Sequence, residues 1–117
     1  MKTLVPFILL TLGLVTGVAH AGAIGGPKHN RTTIMAWQTH TYSIVFEKGV
    51  DAEIIVNGDG STDLDCTVYD SNGNLIDSDV GPTDLCVLSW TPKWKGKFTL
   101  KVRNGGGEPN EYTVKTN

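Results

Sequence analysis

Apolar and polar residues alternate with a period of two through most of this chain. Tyr42, Ile44 and Phe46 take every second place in one stretch, and Ala52, Ile54 and Val56 in the next. The same spacing recurs at Leu64, Cys66 and Val68, at Cys86, Leu88 and Trp90, at Phe98, Leu100 and Val102, and at Tyr112 and Val114. Alternation of this kind sends one set of side chains to each face of a β-strand. It predicts strands over residues 32–37, 39–47, 52–57, 64–69, 75–78, 85–91, 97–103 and 112–115. No stretch of ten residues carries the 3.6-residue period of a helix.

The breaks between these runs are turn formers. Lys48-Gly49 separates the second and third strands, and Asp70-Ser71-Asn72-Gly73-Asn74 the fourth and fifth. Asn-Gly tolerates positive φ and is a strong hairpin signal. A Gly81-Pro82 loop, Pro92 and the glycine-rich stretch 104–110 punctuate the rest. Seven to eight short strands between such turns predict an all-β chain folded as an antiparallel β-sandwich.

The first residues do not fit this pattern. Lys2 precedes an apolar run over residues 4–18, and Ala19-His20-Ala21 follows as an A-x-A cleavage site. The run is shorter than the ~20 residues that span a bilayer, so it reads as an export signal over residues 1–21. Residues 22–30 are expected to be a flexible leader and residues 31–117 the domain. The mature protein is then secreted or periplasmic, monomeric, and free of a membrane segment after cleavage. The net charge of −2 and the lack of a basic face exclude nucleic acid as a partner.

Export changes the meaning of the two cysteines. Cys66 and Cys86 both sit at core-facing positions, and in an oxidising compartment they are expected to pair. The closed loop of about 20 residues contributes on the order of 3 kcal/mol. A redox pair is the alternative, but the Cys-x-x-Cys spacing is missing.

Several of these segments together resemble a known family. Tyr42-Ser43-Ile44-Val45-Phe46, Asp63-Leu64-Asp65, Val68-Tyr69-Asp70-Ser71-Asn72-Gly73, Trp90-Thr91-Pro92 and Gly96-Lys97-Phe98-Thr99-Leu100-Lys101-Val102 occur in the order seen in bacterial pre-peptidase C-terminal domains. The resemblance runs over about residues 39–116. It implies a jelly-roll-like sandwich, usually appended to a secreted peptidase and non-catalytic, of which some relatives bind calcium. Unlike most of the family, the domain is expected to stand without a peptidase before it, and its cysteine pair is not a general feature of the family.

Candidate chemistry lies in two places. Asp59, Asp63 and Asp65 cluster in and beside a glycine-bearing loop, with hard oxygens of the kind Ca²⁺ takes. The alternative is that these aspartates are turn formers and strand-edge charges. Trp94 sits between Lys93 and Lys95 in a turn, where an exposed indole could stack on a sugar ring or a peptide of an extracellular protein or polysaccharide. The alternative there is an indole folded over the sandwich edge. His29 and His40 have no metal-ligand spacing, and no serine sits in a nucleophile elbow. The expectation is a secreted non-catalytic module with a binding or accessory role, with a small secreted hydrolase or enzyme inhibitor as the alternative.

Overall fold

The alternating runs become eight strands: β1 (His29–Ile34), β2 (Thr39–Phe46), β3 (Ala52–Asn57), β4 (Leu64–Tyr69), β5 (Leu75–Asp79), β6 (Leu85–Trp90), β7 (Gly96–Asn104) and β8 (Asn110–Thr116). The computed structural model describes residues 22–117; the export signal expected in residues 1–21 lies outside them. One four-stranded sheet has the order β1-β8-β3-β6 and the other β2-β7-β4-β5, with every pairing antiparallel. The two sheets form a jelly-roll-like β-sandwich.

The core lies between the sheets and follows the parity of the sequence. Tyr42 and Phe46, Ile54 and Val56, Leu64 and Val68 are all closed to solvent. So are Leu88, Leu100 and Val102. Trp90, expected in this core, is half-buried and closes one end of it. It meets Phe46 edge-on at 4.9 Å between ring centres, and Phe98 at 5.3 Å.

The predicted 70–74 turn joins β4 to β5. Asp70 N–H donates to the Asn74 carbonyl at 2.9 Å, and Gly73 has φ +84°, which suits a residue without a Cβ. The Asp70 carboxylate accepts from Asn72 and Asn74 N–H, both at 2.9 Å. These bonds, led by that from Asn74, hold its pKa below the usual carboxylate value.

Two expectations change at the start of the chain. The first strand covers residues 29–34, not 32–37, because Met35 to Gln38 turn back sharply towards β2. The 22–30 stretch is part of the fold instead of a leader. Ala23 is buried and bridges to Phe46, Ile24 N–H donates to the Val45 carbonyl at 2.8 Å, and β1 begins at His29. Free backbone groups along the β2 edge give the glycine-rich segment something to pair with.

Cys66 and Cys86 form a disulfide, with Cα atoms 6.2 Å apart. Their strands belong to different sheets, so the bridge ties the two layers together across the core.

The antiparallel order gathers the connections at two ends. Residues 35–38, 58–63, 80–84 and 105–109 lie at one, and residues 47–51, 70–74 and 91–95 at the other.

Candidate functional site

The second end holds Trp94. Its connection follows β6, and Gly49 N–H donates to the Pro92 carbonyl at 2.9 Å, pinning it to the neighbouring turn. The indole is 46% exposed and stands beside Gly96, where a side chain would press on its ring. It forms one wall of a recess of about 320 Å³ whose other apolar walls are Ile76, Trp90, Pro92 and Phe98. Asp70, Thr91 and Lys93 complete the lining. Trp94 thus neither lies flat over the edge nor stands free; it walls an apolar cleft.

The three aspartates do not converge. Asp59 is a loop brace: Oδ1 accepts Ser61 N–H at 2.9 Å, and Oδ2 accepts Glu111 N–H at 2.9 Å. These bonds, the Ser61 hydroxyl foremost, hold its pKa below the usual carboxylate value. Asp84 works alongside it, accepting from Gly60 N–H at 2.6 Å and from the Asn110 amide at 3.0 Å. A side chain at Gly58 would run into the Asp84 carboxylate, so the close approach requires glycine. Asp63 and Asp65 differ: each keeps one buried oxygen without a hydrogen-bond partner. Burial raises the Asp65 pKa, and the charge of Asp63 adds to the rise. Among the described residues no group of three or more His, Cys, Asp or Glu is placed to hold a metal ion.

The end opposite Trp94 carries a feature the alternation does not encode. The Met35–Gln38 turn is closed by Gln38 N–H to the Met35 carbonyl at 3.2 Å, and the Gln38 side chain accepts Met35 N–H at 3.0 Å. Inside it Trp37 has φ +63°, the one positive φ at a non-glycine among the described residues. For a bulky residue this is a strained conformation. Neighbours hold it there: Arg103 donates to the Trp37 carbonyl at 3.1 Å, and Asn104 N–H to the Gln38 carbonyl at 2.9 Å. The buried Asn104 amide reaches the Ile34, Met35 and Glu108 carbonyls. Trp37 remains 58% exposed and Met35 51%. The signal available in the sequence was an aromatic in a turn that holds no glycine.

His40 is occupied structurally. Its Nδ1 lies 2.7 Å from the Tyr112 hydroxyl, which lies 2.6 Å from that of Tyr42. Burial lowers the His40 pKa and raises those of both tyrosines. This chain links β2 of one sheet to β8 of the other, and its imidazole is spent on a buried phenol.

Fold and site together define a small β-sandwich module with an apolar recess at one end. No family model matches the sequence, and no curated protein matches it. Solved structures do match in fold. The pre-peptidase C-terminal domain of a collagenase from Bacillus anthracis is 12% identical, with TM-score 0.56 over 76% of this chain and 89% of that one. PliG from Aeromonas hydrophila, a periplasmic inhibitor of g-type lysozyme, is 14% identical, with TM-score 0.59 over 87% of this chain and 90% of that one. At these identities the likeness is one of fold.

Proposed function

We propose that the protein is an exported, non-catalytic module of pre-peptidase C-terminal type that holds an apolar side chain of an extracellular protein in the Trp94 recess. The observation that carries this reading is an exposed indole walling an apolar cleft of about 320 Å³. That size lies at the small end of the ~300–1,000 Å³ range of ligand pockets and suits one side chain. A polysaccharide needs several hydrogen-bonding partners for its hydroxyls. Here the Asp70 carboxylate is already engaged by its own turn, leaving Thr91 and Lys93.

The test is an NMR titration of residues 22–117 with N-acetyl-tryptophanamide, and separately with soluble glucan and chitin oligosaccharides. The expected result is a shift of the Trp94 indole signal with the amino-acid amide and its loss in Trp94→Ala. A shift with sugars alone moves the reading to polysaccharide; no shift with either removes the recess as a site.

Inhibition of a secreted hydrolase is the second reading, favoured by the fold match over most of both chains to PliG. An activity assay of g-type lysozyme with added protein decides it. Calcium stabilisation is proposed for Asp63 and Asp65 alone, the pair with unpartnered buried oxygens, since Asp59 is committed to its loop.

A further inference from the structure

Lys97 and Phe98 are neighbours on β7, and alternation sends them to opposite sides of the strand. Phe98 walls the Trp94 recess, whereas Lys97 lines a second hollow, of about 500 Å³, on the outer face of the β2-β7-β4-β5 sheet. Tyr69, Ser71, Thr99 and Lys101 line this hollow with it. Asp70 borders both, so recess and hollow meet at the start of the 70–74 turn.

The recess is apolar and the hollow beside it is cationic. Lys97 and Lys101 are exposed, and Lys101 Nζ stands 5.4 Å from the centre of the Tyr69 ring. Among the described residues the one ion pair is Arg31–Glu111, so neither lysine is in contact with an acid. The nearby acids are engaged elsewhere. The Asp70 carboxylate accepts from Asn72 and Asn74 within its own turn. Glu47, just past β2, accepts the Lys48 N–H at 2.9 Å. Asp65 stands opposite Arg103, towards the other end of the face. Around the recess itself the charge is mixed, with Glu47 and Asp51 against Lys48, Lys93 and Lys95. The uncompensated charge is that of Lys97 and Lys101 in the hollow.

We propose that recess and hollow act as one groove for an acidic segment of an extracellular protein. An apolar side chain enters the recess, and a carboxylate close by in the same segment reaches Lys97 and Lys101. This rests on the reading of the recess as a binding site and adds the chemistry of its occupant. An extended segment advances about 3.3 Å per residue, so side chains about one to three residues apart suit adjoining hollows. The recess by itself accepts any apolar side chain of the right size; the lysines choose among them by the charge beside it. Because both lysines are exposed, the carboxylate tightens binding by only about two- to fivefold.

NMR titration of residues 22–117 with end-blocked Trp-Glu, Trp-Gly-Glu and Trp-Gly-Gly-Glu, each against its Gln counterpart, tests this. At low salt at least one Glu peptide should bind about two- to fivefold more tightly than its Gln counterpart. It should move the Lys97 and Lys101 amide signals together with the Trp94 indole. The preference should vanish at about 0.5 M salt, where exposed charges are screened, and in Lys97→Gln/Lys101→Gln. That variant changes two exposed side chains, so its Trp94 signal should still shift with N-acetyl-tryptophanamide. Equal affinities for every Glu and Gln pair overturn the proposal, as does a preference that survives the lysine substitutions. A galacturonate oligosaccharide that moves Lys97 and Lys101 when no Glu peptide does assigns the hollow to an acidic sugar and overturns it too. In each of these cases a Trp94 shift with N-acetyl-tryptophanamide leaves the recess reading standing; without that shift, both fall.

Discussion

Ser89 donates its backbone N–H to the Asp77 carboxylate at 2.9 Å, and two residues earlier Val87 donates to Asp79 at 3.1 Å. β5 and β6 are edge strands of different sheets, facing each other across one open side of the sandwich. Aspartates on one edge therefore stand in for a missing neighbouring strand on the other. Unpaired edge N–H groups invite pairing with other chains, and carboxylates block it by bonding and by charge. Asp77→Ala should cost about 1 kcal/mol, because water replaces the acceptor at this exposed site. The Asp77→Ala/Asp79→Ala double variant should also aggregate faster on heating, read by light scattering. Unchanged aggregation would show that the carboxylates do not guard the edge.

Val68 is fully buried, and its neighbour Thr67 faces outward opposite Lys101. Val68→Asp buries an unpaired charge and should cost more than about 4 kcal/mol, enough to unfold most of the population. Thr67→Asp gains a cross-strand lysine and should change stability by about 1 kcal/mol or less. Urea melts of both check the parity; similar midpoints would contradict it.

The disulfide closes a loop of sequence separation 20. Replacing both cysteines by alanine should cost about 3 kcal/mol. Thiol titration of folded exported protein should find no free thiol, since the chain's two cysteines are both in the bridge. Two reactive thiols there would mean the layers are held by packing alone.

His40 gives the stability a pH dependence of known sign. Burial lowers its pKa in the fold, so below about 6.5 the unfolded chain takes up a proton that the folded one resists. Its contribution is whole above that value and is lost as pH falls towards the folded pKa. The wild type should therefore be less stable at about pH 5.5 than at about pH 7.5, and His40→Gln should show a smaller loss. Denaturant midpoints at the two pH values measure it; equal slopes for the two proteins would remove His40 as the cause.

For calcium, the expectation divides among the three aspartates. At ~1 mM affinity, about 10 mM calcium contributes about 1.4 kcal/mol, a rise of several degrees in Tm. The rise should vanish in Asp63→Asn/Asp65→Asn. Asp59→Asn should lower Tm with or without calcium, because that side chain holds Ser61 and Glu111 N–H groups. Identical melts in chelator and in calcium would leave Asp63 and Asp65 with no metal role.

The layers of this fold were legible wherever one residue in two was apolar, as in Tyr42, Ile44 and Phe46. β1 was misplaced because its residues before Ile34 are polar or charged; it is defined by pairing with β8, a distant segment. Parity told that Cys66 and Cys86 face the core but not that they lie in opposite sheets, since strand order is a non-local property. The Trp94 turn was legible from Pro92 and Gly96, whereas its recess needs Ile76 and Phe98 from other strands. The Trp37 turn was hidden for a different reason. Its positive φ is imposed by Arg103 and Asn104, far along the chain, and not by a glycine of its own.

Ala23 donates its N–H to the Asn117 carbonyl at 3.0 Å, so the first and last described residues sit side by side. Polypeptide joined before Gly22 and polypeptide joined after Asn117 depart from the same pole. Spliced into a longer protein, the module would stand as a side branch and add almost nothing to the length of the main chain. In that arrangement the Trp37 turn lies at the opposite pole from whatever carries the module.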